Sequence, residues 1–176
     1  MNRETYHRPG AAPAGFPSSS CGEAARAIYI RMDIVLLDDR GRLFLSPRIE
    51  EWEPLSEHGI SVVFDLEGDL DSCVPTTPNQ VLYVYFPIFD EDLPDLPKLH
   101  ALAKLGAEMV EAGHKVLSHC GMGFNRSALL AGLILVHLGF SGHDAVAHLR
   151  AKRPGALFNT VFADYLLSLA GPPGAP

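Results

Sequence analysis

The amino-acid sequence predicts an α/β domain in which a central, mostly parallel, twisted sheet is flanked by helices. Three observations carry that expectation. Short apolar runs of strand length alternate with segments whose apolar residues recur at helical spacing. The segment Arg126 to Leu138 is apolar nearly all round, as a helix in the middle of a molecule is. The chain has 176 residues, 47% hydrophobic and 20% charged, enough for one domain with a sound core.

The elements follow in order. Residues 1–25 read as a flexible tail, because Pro9 to Ser20 holds only Gly, Ala, Pro and Ser besides Phe16. Such a stretch buries too little surface to offset its ordering entropy. The folded domain is expected over 26–170, and 171–176 reads as a second flexible tail. Strands at Ile28–Leu37 and Leu43–Leu45 flank Asp38-Asp39-Arg40-Gly41, a hairpin-turn signal. Arg48–Glu57 carries Ile49, Trp52 and Leu55 at helical spacing. Ile60–Leu66 and Val81–Ile88 are apolar strands separated by an acidic loop. A helix over Leu99–Ala112 stops at Gly113, and Lys115–His119 is a short buried strand. After the central helix come Ser141–Lys152, with Ser141 as its cap, and Leu157–Leu169 beyond Pro154-Gly155.

Charge and cysteine content exclude several classes. Fourteen Lys and Arg stand against 21 Asp and Glu, a formal net charge of −7. Nucleic acids and anionic membranes demand a basic face, so neither is an expected partner. Three cysteines are an odd number and too few for a disulfide scaffold, which favours a reducing compartment. The longest apolar run, Ala128–Leu138, is broken by Gly132 and His137, and the first residues lack the apolar stretch of a signal peptide. A cytoplasmic monomer is the expectation.

The chemistry sits in Val116-Leu117-Ser118-His119-Cys120-Gly121-Met122-Gly123-Phe124-Asn125-Arg126-Ser127. Here a cysteine ends a strand, a glycine-containing loop follows, and an arginine opens a helix. Successive backbone N–H groups of such a loop point inward and the helix N-terminus adds partial positive charge, which makes an anion cradle from Gly121 to Asn125. Arg126 can clasp two phosphate oxygens bidentately. The same field favours the Cys120 thiolate, a nucleophile, and Ser127 offers it a hydroxyl. Gly121 and Gly123 allow close backbone approach. Cys21 lies one residue short of the same spacing from Arg26 and follows low-complexity sequence, so it is set aside.

His119-Cys120-x5-Arg126-Ser127 resembles the signature loop of the protein tyrosine phosphatase superfamily, and the short chain resembles its dual-specificity branch. Phe86-Pro87-Ile88-Phe89-Asp90 is similar to the loop carrying that family's general acid, and Arg150 to Pro154, Asn159 and Phe162 to its closing helices. The resemblance implies the cysteine-phosphatase fold and a two-step reaction through a phosphocysteine at Cys120. In it an aspartic acid serves first as acid and then as base, with no metal and no cofactor. His119 is implied to support the thiolate. For the acid, Asp90, Asp92 and Asp95 all follow the strand, and the resemblance favours Asp90. A phosphorylated protein or a small phosphorylated molecule is the implied substrate. The loop holds no lysine, which weighs against phosphoinositides.

Other features have plainer readings. The acidic run Asp65, Glu67, Asp69 and Asp71 reads as a solvated loop without cation-loop spacing. Cys73 is a candidate partner for an oxidised Cys120, although no spacing demands it. The remaining histidines show no zinc-ligand arrangement. Alternatives to a protein phosphatase are a phosphatase of a non-protein substrate, a catalytically quiet phosphate-binding adaptor, and a sulfur transferase with a cysteine cradle.

Overall fold

A computed structural model of the protein describes residues 33–170. The two expected tails lie outside the described residues, as do the first five residues of the strand expected at Ile28–Leu37. The elements run β1 (Val35–Leu36), β2 (Leu43–Ser46), α1 (Glu53–His58), β3 (Val62–Asp65), β4 (Leu82–Tyr85), α2 (Leu96–Glu111), β5 (Val116–His119), α3 (Arg126–His137), α4 (Gly142–Lys152) and α5 (Thr160–Leu167).

The sheet has the order β1-β2-β5-β3-β4; β2, β5, β3 and β4 are parallel and β1 joins antiparallel. β5 therefore lies at the centre, fully buried on both faces. The period of two is visible in where side chains go. Leu43 and Leu45 of β2, Val62 and Phe64 of β3 and Val116 of β5 enter the large core under α2 to α5. Phe44, Val63 and Leu117 enter a smaller core with Ile49, Trp52 and Leu55. The mostly parallel sheet flanked by helices is the architecture expected.

Helix α3 is the axle of the large core. Leu129, Leu130, Leu133 and Ile134 are wholly buried. Each such side chain contributes roughly 1.5–3 kcal/mol of transfer free energy, so packing more than propensity holds this helix. Gly106 of α2 faces it closely: an added Cβ there would lie 2.6 Å from Ile134 Cδ1.

Local chemistry sets the element ends. The turn after β1 closes because Asp38 Oδ1 accepts from the N–H groups of Arg42 and Leu43, with Gly41 at φ 71°. Helix α1 begins five residues later than its apolar spacing suggests. Arg48 N–H is tied to Gly121 O at 3.3 Å, and Pro54 stands in the first turn of the helix. Helix α2 begins three residues earlier than expected, since the Asp95 side chain accepts from Lys98 N–H. Helix α5 begins three residues late. Leu157 has φ 59°, and Asn159 caps the helix by accepting from Val161 N–H and Phe162 N–H. A buried leucine in the left-handed region costs roughly 1–2 kcal/mol. It persists because Leu157 N–H bonds Phe124 O at 2.8 Å and Arg150 Nη2 bonds Leu157 O at 3.2 Å.

Candidate active site

The loop Cys120–Asn125 leaves the carboxyl end of the central strand β5 and enters α3, a usual place for ligand sites in open parallel sheets. Its carbonyl oxygens are tied outward. Arg48 N–H bonds Gly121 O, Arg153 Nη2 bonds Met122 O, Leu157 N–H bonds Phe124 O, and Leu129 N–H bonds Asn125 O. A trans peptide carries its N–H opposite its C=O, so the amides of Met122, Gly123, Asn125 and Arg126 turn inward. One of them is fixed by a contact, Gly123 N–H to Cys120 Sγ at 3.3 Å. Gly123 has φ 70°, and a Cβ there would lie 2.6 Å from the Ser46 carbonyl carbon, so this position requires glycine.

Cys120 lies at the base of the ring, buried, its Sγ 3.2 Å from Ser127 Oγ. Arg126 reaches back across the mouth. Its Nη1 donates to Leu66 O at 3.2 Å and Ile88 O at 3.5 Å, and its Nη2 meets Glu67 Oε2 at 3.2 Å. Arg126 Nε has no acceptor among the described residues. Glu67 also lies 3.7 Å from Arg48 Nη2. The guanidinium is thus held at both ends, by the loops after β3 and β4.

Asp90 is brought to the loop, and the other two candidate acids are not. Asn125 Nδ2 donates to Asp90 Oδ2 at 3.0 Å and Asn159 Nδ2 to Asp90 Oδ1 at 3.4 Å. Asp95 is spent on capping α2 and pairing with Lys98 Nζ at 3.2 Å. The Lys98 backbone N–H, then its side chain, holds the Asp95 carboxyl below the usual carboxylate range. Asp92 is exposed and makes no hydrogen bond to another described residue.

His119 is buried and turns toward a second cluster, not toward the sulfur. Its Nε2 lies 2.9 Å from Asp71 Oδ2 and 3.6 Å from Asp65 Oδ1. The Tyr83 hydroxyl joins both carboxylates, donating to Asp65 Oδ2 and lying 3.0 Å from Asp71 Oδ2. Burial pushes the Asp65 carboxyl up, opposed by the Tyr83 hydroxyl and the Glu67 N–H. Burial likewise pushes the Tyr83 phenol up, with the Asp65 contact adding to it. Ligand atoms of Asp65, Asp71 and His119 lie within 4.8 Å of one another, the grouping among the described residues that could hold a metal ion.

Two expectations are corrected here. The acidic run is not a solvated loop: Asp69 is 92% exposed, but Asp65 and Asp71 turn inward to His119 and Tyr83, and Glu67 to Arg126. Buried cations and imidazoles need partners, and these carboxylates supply them. The cysteine count does not point to a disulfide, yet Cys73 is disulfide-bonded while Cys120 is free, so these two do not pair. The rim is apolar beyond Met122 and Phe124. Phe89 is 84% and Phe158 62% exposed beside Asp90 and Asn159.

A nucleophile-length cysteine loop on the central strand of a parallel sheet, with an arginine at its exit, is the architecture of the protein tyrosine phosphatase superfamily. No family model matches the chain. The tyrosine-protein phosphatase cdcA of Emericella nidulans is 28% identical over 105 residues, which is 58% of this chain and 18% of that protein. The chain therefore spans less than a fifth of that relative's length. The crystal structure of human DUSP28 matches with TM-score 0.63 and 25% identity, covering 76% of this chain and 89% of that one. Tk-PTP in its active form matches with TM-score 0.60 and 27% identity, covering 76% and 92%. In fold and in the placing of its cysteine loop the chain is thus similar to the phosphatases of that superfamily's dual-specificity branch.

Proposed function

We propose that the protein is a cysteine-dependent phosphomonoester hydrolase, a dual-specificity protein phosphatase acting through a phosphocysteine. The observation that carries this reading is the Gly123 N–H directed at Cys120 Sγ, with Asp90 held beside the same loop by Asn125. In the first step Cys120 Sγ attacks phosphorus, the bond to the leaving oxygen breaks, and the Asp90 carboxyl gives that oxygen its proton. In the second, water attacks phosphorus, Asp90 takes the water proton, and the S–P bond breaks to return the thiolate and release phosphate. Arg126 and the amides hold the phosphoryl oxygens throughout, and Ser127 Oγ steadies the sulfur as leaving group. His119 supports the base of the loop through Asp71. Residues 26–170 form the phosphatase domain, which acts as a cytoplasmic monomer on phosphorylated protein or small phosphorylated substrates. No described helix is long and apolar enough to cross a membrane.

The test is Cys120→Ser with a small aryl phosphate. Hydrolysis disappears while vanadate binding stays measurable; retention of more than a few per cent of the rate defeats the covalent mechanism. Arg126→Lys is also severe, because a point charge cannot reproduce the planar fork. Asp90→Ala lowers kcat by roughly 10²–10⁴-fold and removes the alkaline limb of the pH profile. Asp92→Ala does much less; the reverse ranking moves the acid two residues along the loop. An adaptor without turnover predicts anion binding with no phosphate released by the native chain.

A further inference from the structure

We infer that Asn159 and Asn125 are positioning residues that hold the Asp90 carboxyl over the phosphate cradle with amides whose orientation the backbone dictates. The inference rests on Asp90 being the proton donor proposed above.

A side-chain amide can be turned either way unless its neighbours decide. Here they decide twice. Asn125 Oδ1 accepts from Asn159 N–H at 3.0 Å, and a backbone N–H only donates, so the Asn125 NH₂ must face Asp90 Oδ2. Asn159 Oδ1 accepts from Val161 N–H at 3.0 Å and Phe162 N–H at 3.5 Å. Its NH₂ is thereby aimed at Asp90 Oδ1 and at Glu91 O, the latter at 3.1 Å. Each Asp90 oxygen meets one amide N–H. The Asp90 side chain has no other hydrogen-bond partner among the described residues.

Asn125 occupies the N-cap of α3, where an asparagine side chain ordinarily accepts from the helix, yet it makes no cap bond. Its side chain is committed to Asp90 and Asn159 instead, in a residue only 2% exposed. Asp90 itself sits on an exposed loop without regular structure, and the residues that hold it lie 35 and 69 positions further along the chain. Amides neither give nor take protons at working pH. A carboxyl oxygen that carries the proton still has a lone pair for an amide N–H, so the same pair of contacts serves Asp90 as acid and as base.

The experiment uses Asn159→Asp, which keeps an oxygen for the Val161 and Phe162 N–H groups but loses the NH₂ donor. Rates are measured on aryl phosphates of rising leaving-group basicity, from a nitrophenyl to a phenyl ester. Esters of acidic phenols need little protonation, so the loss grows along the series. With phenyl phosphate kcat falls roughly 10- to 100-fold, part of what a positioned acid supplies, and KM changes little because the cradle is intact. In an Asp90→Ala background the same substitution adds no further loss. Equal losses across the series, independent losses in the double variant, or undiminished turnover of phenyl phosphate overturn the inference. If Asn159→Asp does not fold, Asn159→Ser in the same cycle decides. A control separates the two ideas: if Asp90→Ala itself shows no dependence on leaving group, it is the assignment of the acid that fails.

Discussion

Asp65 shows what a single buried group does to the molecule. Its carboxyl is shut off from water beside Asp71, His119 and Tyr83, and burial raises its affinity for a proton above that of the unfolded chain. A raised carboxylate loses stability as pH climbs past its unfolded value of 3.8 toward the folded one. Asp65→Asn carries no such term. The difference in urea midpoint between variant and native protein therefore shifts in the variant's favour from about pH 4 to pH 7; a constant difference contradicts the raised affinity. The residues of the loop were legible because cysteine, glycines and arginine stand together in twelve positions. The roles of Glu67, Asp65 and Asp71 were not, because an acidic stretch looks solvated until the fold brings His119 and Arg126 to it from 48 or more residues away. A buried His119 and a clasping Arg126 each imply an anionic partner, and that requirement was the signal available in the sequence.

At the level of elements, the alternation of strands and helices could be read because sheet faces have a period of two and α3 is apolar all round. What could not be read was where helices begin, since caps and tertiary ties override apolar spacing. Asp95, Asn159 and the Arg48–Gly121 bond each move a boundary by three to five residues. The cap that was legible, Ser141, offers a clean measurement. Its Oγ accepts from Asp144 N–H at 3.1 Å. Ser141→Ala costs about 0.5–2 kcal/mol, read as a lower urea midpoint. Gly142→Ala, whose new Cβ would fall 1.9 Å from Leu166 O, costs more, because α4 and α5 must separate. Equal effects would mean that the two helices give way without cost.

Seen whole, the molecule builds its cradle from remote pieces. The carbonyls of Gly121, Met122 and Phe124 are held by Arg48, Arg153 and Leu157, which belong to opposite ends of the described chain. No short peptide containing the loop carries those ties, so a bound oxyanion recognises only the folded state. Mass action then couples occupancy to thermal unfolding: an anion at 100 times its Kd adds about 2.7 kcal/mol. Vanadate raises the melting temperature of the native chain and of Cys120→Ser alike, while Arg126→Lys, with its fork lost, responds weakly. A melting temperature indifferent to vanadate would mean that the loop is assembled without its ties. Where an oxyanion is plentiful, its occupancy of the loop adds to the stability of the whole fold.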